Sequence, residues 1–233
     1  MAMPLTTGTQ LERFTGIAPV FPLPSVALLP NVVQPLHVFE PRYRLLTEQA
    51  LAGPRLIAMA VLRPGWEARY EQNDLPLYPV VCLSQIEVDK RLPDGRYVLL
   101  LRGLVRARMI SELPATQSFR QARLQLLPDV YSPPPMIDRP RRRRELLELF
   151  LQLNPGCGEL ADLPLVADGE LSLGALCDVL SFAAGLDTAE MLELLHEPRI
   201  DVRSDLLLDI LRRRVRAAAS SVTADFPPSF SWN

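Results

Sequence analysis

Prolines stand at positions 22, 24, 30, 35 and 41 of the stretch from Val20 to Leu46, and no helix can be drawn through the first four. Proline removes a backbone donor and its ring clashes with the preceding turn, costing a helix interior about 3 kcal/mol or more. The short apolar runs between these prolines therefore read as strands joined by rigid corners. At Glu40-Pro41 the pattern changes. Proline is favoured at the first helical position, and Tyr43, Leu46 and Ala50 then recur at helical spacing. One helix is expected to start there and close one end of a small barrel.

Gly53-Pro54 stops that helix, and Arg55 to Leu62 follows as a run apolar on both faces, the mark of a central strand. Arg63 to Pro79 carries Pro64-Gly65, Asn73-Asp74 and Pro76, so it reads as a long loop. Trp66 and Tyr70 lie in it, and both are costly to leave in water. Val80 to Val88 and Arg96 to Leu101 form a hairpin, because Pro93 supplies a fixed φ and Gly95 the left-handed position. Leu104 to Ile110 alternates, placing Val105, Ala107 and Met109 on one face and Arg106 and Arg108 on the other. Phe119 to Leu127 repeats this pattern. About six short strands and one helix make a small barrel.

Pro133-Pro134-Pro135 marks a stiff linker, after which the composition becomes helical. Leu146, Leu149, Phe150 and Leu153 form one stripe, with Arg141 and Glu145 placed to pair at i,i+4. Leu173 to Ala184 gives a second helix, and Asp187-Thr188-Ala189-Glu190 reads as a capping box opening a third. The last follows Pro198. The expected class is α+β: a tail over 1–16, a barrel domain over 17–130, a linker over 131–139, a helical bundle over 140–218, and a second tail over 219–233. That second tail holds Phe226-Pro227-Pro228-Ser229-Phe230-Ser231-Trp232, a candidate docking peptide for a partner or for self-association.

The composition excludes several chemistries. A net charge of −2 gives no global reason to seek nucleic acid or membrane. Of the 25 basic residues, Lys90 alone is lysine, and no glycine-rich loop precedes it, so there is no Walker A loop. A Ser-Lys pair would need the same Lys90, which the hairpin sends to solvent. His37 reads as part of the barrel wall and His196 as a helix C-terminal residue complementing the dipole. Cys82, Cys157 and Cys177 are too scattered for a disulfide framework or a zinc site; each reads as a small buried hydrophobe. No catalytic, cofactor or metal site is expected. Met1 to Phe14 lacks the features of a signal peptide, and the longest apolar run, Leu56 to Leu62, is far short of the ~18 residues a membrane span needs. A cytoplasmic protein is expected.

One block is specific enough to carry a resemblance. Phe21-Pro22-Leu23, the Leu29-Pro30 corner and Pro35-Leu36-His37-Val38-Phe39-Glu40-Pro41-Arg42-Tyr43 resemble the N-terminal, substrate-binding domain of the Lon proteases. The resemblance implies a PUA-like barrel followed by a helical bundle, and covers about residues 18–216. It makes Pro35, His37, Phe39, Glu40, Arg42 and Tyr43 a family signature, read here as structural: Glu40 is expected to cap the helix and Arg42 to bond nearby carbonyls. The implied function is a non-catalytic module that binds unfolded or damaged polypeptides, an adaptor for a separate ATP-dependent protease, with Trp66 and Tyr70 as the candidate contact surface. Two rivals stand beside it: an RNA-binding PUA-like module using Arg102, Arg106 and Arg108, and a small-ligand pocket in the barrel.

Overall fold

The computed structural model describes residues 11–69, 74–133, 137–157 and 171–224. In chain order the elements are β1 (Ile17–Leu23), β2 (Val33–Val38), α1 (Pro41–Ala52), β3 (Leu56–Val61), β4 (Val80–Arg91), β5 (Tyr97–Glu112), β6 (Arg120–Leu127), α2 (Arg139–Leu153), α3 (Leu173–Ala183), α4 (Thr188–His196) and α5 (Ile200–Ala224). The chain divides into two compact units: residues 1–128 with 187–198, and residues 129–186 with 199–233.

The first unit is a six-stranded sheet in the order β2-β5-β4-β3-β1-β6, and β6 also pairs with β5. β1 runs parallel to β3, and the remaining pairs are antiparallel. β3 is buried along its whole length, as its unbroken apolar run requires. Small side chains line the interior: Ala18, Ala58, Ala60, Ala107 and Ala122 pack with Val20, Leu83 and Leu124 in one cluster. Bulkier residues at these positions would hold the strands apart.

β5 is one strand of 16 residues where two shorter ones were expected. It passes through Gly103, which is needed for close approach: a Cβ there would run into the Leu29 carbonyl and the Cys82 sulfur. The Leu29-Pro30 corner is thereby seated directly on β5, with Asn31 N–H donating to the Gly103 carbonyl and Gly103 N–H to that of Val32, both at 2.9 Å. The β4–β5 turn has the predicted chemistry. Gly95 has φ +82°, its N–H donates to the Leu92 carbonyl, and the Asp94 carboxylate accepts the Arg96 N–H at 3.1 Å.

α4 carries the predicted capping box, Glu190 N–H donating to Asp187 at 2.9 Å and Asp187 N–H to Glu190 at 3.2 Å. It groups with the sheet, although its leucine stripe had placed it among the other helices. Arg106 gives the physical reason. Its side chain was expected to face outward; instead it is 1% exposed, and Nη2 donates to the Leu194 carbonyl of α4 at 3.3 Å. β5 is covered on both faces here, so alternation along the strand does not separate inside from outside.

In the second unit α2 and α3 pack on α5 and on each other. The described residues at either end of the expected linker group with this unit. Arg203, fully buried on α5, holds the Asp129 carboxylate with two bonds of 3.0 Å and lies 3.6 Å from buried Asp178. Asp201 accepts the Ser132 N–H and two bonds from Arg139 at 3.0–3.1 Å. Glu145 pairs with Arg212 of α5, where the helical spacing had offered it Arg141. The expected tails over 1–10 and 225–233, and Pro134-Pro135 of the linker, lie outside the described residues.

Candidate functional site

β2 ends the strand order, and its register on β5 sets the site. Val33 lies opposite Arg102, Pro35 opposite Leu100 and His37 opposite Val98. On the other side of β5, Leu100 pairs with Val88 and Val98 with Lys90 of β4. Side chains alternate across a sheet, so these residues share one face, and it is the outward one. Val33 is 46% exposed, Val88 50% and Val98 39%; Phe39, just beyond β2, is 60% exposed. Pro35 and His37 are also exposed, and the His37 ring lies 6.2 Å from that of Phe39. The result is a continuous apolar surface across three strands. Its polar rim is Lys90 at one end and the Arg102–Glu87 pair, 2.5 Å apart, at the other. Exposed apolar side chains gathered on one face make it the candidate interaction surface of this unit.

The opposite face of the same strands is anchored. Val38 and Tyr97 are buried, and the Tyr97 hydroxyl bonds Glu48 of α1 at 3.3 Å. Burial, with the Glu48 carboxylate beside it, raises the Tyr97 phenol above its ordinary pKa. The free edge of β2 is also controlled. Since Gly103 N–H donates to Val32, alternation turns the backbone groups of residues 33, 35 and 37 away from β5. Pro35 thus occupies an outward edge position, where it has no donor to offer another strand.

The signature residues divide into two sets. Pro35, His37 and Phe39 belong to the outward face. Glu40, Arg42 and Tyr43 turn the chain into α1: Arg42 bonds Glu40 at 2.8–2.9 Å and lies 4.6 Å from the ring centroid of Tyr43, which stacks on Phe21 at 4.2 Å. Glu40 is the N-cap of α1, but its side chain makes no capping bond; its partner is Arg42. Pro41 removes one of the donors that a cap would serve.

Trp66 is half-buried against the core cluster of the first unit, so it fixes its loop to the sheet. Tyr70 lies outside the described residues. The outward arginine strip does not form: Arg106 is buried, Arg102 is paired with Glu87, and Arg108 is exposed. His196 caps its own helix, Nδ1 lying 2.6 Å from the Leu192 carbonyl, with Tyr78 edge-on at 6.0 Å. Cys82 and Cys177 are buried free thiols, whereas Cys157 is half-buried. Among the described residues no group of three His, Cys, Asp or Glu could hold a metal, and no helix is long and apolar enough to cross a membrane. A cleft of about 260 Å³ beside α2 is lined by Arg142, Glu145, Asp205 and Arg212, whose charges are already matched in pairs.

The model of the ATP-dependent protease La (LON) substrate-binding domain matches residues 17–213. The chain belongs to this family. Curated relatives in the LON family include Lon protease 2 of Desulfotalea psychrophila, 27% identical over 208 residues, and Lon protease of Trichlorobacter lovleyi, 27% identical over 209. The alignments cover 88% and 84% of this chain but 26% and 24% of those proteins, so it spans about a quarter of their length. Solved LON domains share the fold. The N-terminal domain of Mycobacterium avium complex Lon protease aligns with a TM-score of 0.61 at 16% identity, covering 84% of this chain and 98% of that one. A Lon N-terminal domain protein from Xanthomonas campestris aligns with a TM-score of 0.60 at 21% identity, covering 83% and 97%.

The apolar face itself was not foreseen. The run from Val33 to Phe39 is apolar at both odd and even positions, so its period could not say which set is buried. The proline at 35 was the available signal, because proline in a strand marks an edge.

Proposed function

We propose that this chain is a non-catalytic polypeptide-recognition module that holds exposed apolar stretches of other polypeptides and presents them, as an adaptor, to a separate ATP-dependent protease. Membership of a substrate-binding family supports the substrate class. The observation that carries the reading is the outward face of Val33, Pro35, His37, Phe39, Val88 and Val98, where apolar surface is left in water with a polar rim around it. This face takes the place of Trp66 as the client surface, since Trp66 is committed to the core of its unit. In the same reading the sheet, whose pairing returns from β6 to β5, is a PUA-like barrel, and α2, α3 and α5 are its helical companion.

The test compares the intact chain's binding to one model protein in its native form and in a reduced, alkylated, unfolded form. Tighter binding of the unfolded form, weakened at least tenfold by Val98→Asp, is expected. Equal binding of both forms overturns the reading.

A further inference from the structure

Val98 of β5 has His37 of β2 as its partner on one side and Lys90 of β4 on the other, and all three are exposed. Neighbouring strands lie about 4.8 Å apart, so the two basic side chains are rooted about 10 Å from each other with Val98 between them. The carboxylates around this part of the β4–β5 hairpin are already held by arginines: Glu87 by Arg102 at 2.5 Å, Asp89 by Arg55 at 2.6 Å and Asp94 by Arg96 at 2.6 Å. Lys90, the one lysine of the chain, has no carboxylate partner among the described residues. The face therefore carries an unbalanced positive charge beside its apolar side chains. Its size selects the kind of partner. A stable interface between folded proteins takes about 800 Å² and 20–30 residues from each side. This face offers the apolar groups of Val33, Pro35, Phe39, Val88 and Val98, enough for a few residues of extended chain and too few for a second copy of the domain. Phe39 continues the line of β2 beyond His37 and is 60% exposed. A segment that reaches Phe39 passes over the His37–Lys90 row and goes on, so a carboxylate meeting this row belongs to a side chain within the segment and not to a chain end.

We propose that the segments this face takes are apolar runs interrupted by one aspartate or glutamate, whose carboxylate sits above Val98 between Lys90 and His37. The inference rests on the client-binding reading of the same face and names the class of client. Lys90 supplies the positive charge, and the His37 imidazole keeps one N–H to donate even when neutral. Val98 beneath the carboxylate and Phe39 beside it exclude water from the pair, which strengthens the attraction. The other end of the face offers no second carboxylate seat of this kind, because Glu87 already occupies Arg102. A basic residue at the same place in a client meets Lys90 as a like charge and is rejected, so the row discriminates among apolar segments that Val33, Val88 and Val98 would hold alike.

The test uses the intact chain and two short labelled peptides, amidated at the C-terminus, with leucine at alternate positions, serine between them, and one central residue that is glutamate in the first peptide and glutamine in the second. The glutamate peptide is expected to bind about three- to fivefold more tightly at low salt, the range one exposed ion pair supplies, and to lose this advantage as salt screens it. Lys90→Gln is expected to abolish the advantage while leaving the affinity of the glutamine peptide unchanged, and Lys90→Arg to retain it. Equal binding of the two peptides, or an advantage that survives Lys90→Gln, overturns the inference; if Val98→Asp still weakens both peptides, the client reading stands without it. Binding of neither peptide also overturns the inference, and the client reading then stands or falls by the comparison of native and unfolded protein. Self-association of the parent chain in sedimentation, relieved by Val98→Asp, would assign the face to a second copy and overturn the inference as well.

Discussion

Arg203 and Asp129 are 74 positions apart in sequence, and their side chains meet in two parallel hydrogen bonds of 3.0 Å. The guanidinium is fully buried and also faces Asp178, itself 1% exposed. Burial alone would lower the Arg203 pKa, but the two carboxylates raise it above its ordinary value. Gly174 makes room for this arrangement, since a Cβ there would run into Asp129 Oδ2, Ile200 Cδ1 and Arg203 Nη2.

Replacing Arg203 by Met leaves Asp178 buried beside an apolar side chain. Breaking a buried pair in this way costs about 3–5 kcal/mol. Denaturant unfolding of Arg203→Met is expected to show a loss of this size, and Gly174→Ala a smaller loss through the same contacts. Parent-like stability in Arg203→Met would mean that the cluster is not what ties Asp129 to α5.

Asp201 makes stability depend on pH. Burial would raise its pKa, but the hydrogen bonds from Arg139 and Ser132 outweigh it and hold the carboxyl below its ordinary range. A carboxylate depressed in the folded state contributes stability that is complete above its unfolded value, about 3.9, and is lost as pH falls through the folded value. Asp201→Asn is therefore expected to be less stable than the parent at pH 7, with the gap closing below about pH 4. Melting curves from pH 7 to 2.5 measure this, and a constant gap would contradict it.

Arg106 ties α4 to the sheet of the first unit. Arg106→Met removes a donor from the Leu194 carbonyl, which costs about 1–3 kcal/mol when the group stays buried. Amide hydrogen exchange is expected to accelerate within residues 188–196 and to remain unchanged in β3. Uniform acceleration across the first unit would show that α4 does not open on its own.

Trp66 and Val98 separate packing from binding. Trp66→Ala removes part of the core contact of a half-buried ring, worth about 1–2 kcal/mol, and should leave client affinity within twofold of the parent. Val98→Asp is expected to do the reverse, since Val98 is already 39% exposed. A client defect in Trp66→Ala at full stability would return the binding surface to the loop.

Pro35→Thr restores a donor to the free edge of β2. An unguarded edge invites pairing with another chain. Sedimentation is expected to show concentration-dependent association in this variant beyond that of the parent, and equal behaviour would mean the edge is protected by something other than proline.

Local devices were legible in the sequence. Gly95 in its turn and the Asp187–Glu190 box act within four residues, so spacing alone identifies them. Most strands followed from proline corners and apolar runs for the same reason, although β5 was read as two. Partners distant in sequence were not legible: nothing near Asp129 announces Arg203, and the period of α4 tells which side is covered without saying by what. Arg106 misled because an arginine in an alternating strand reads as solvent-facing until a helix is laid across it. His37 and Phe39 stand in a strand apolar on both sides, and only the position of β2 at the end of the strand order turns one side outward.

The route of the chain between its two units has a practical outcome. The polypeptide leaves the first at Pro128, returns at Asp187 to lay down α4, and leaves again at Pro198. A fragment cut after Pro128 would be missing its own final piece, and Arg106 would look out where Leu194 should be. Neither half can be had by scissors alone; dissection calls for point changes, or for a graft that carries residues 187–198 back to the sheet.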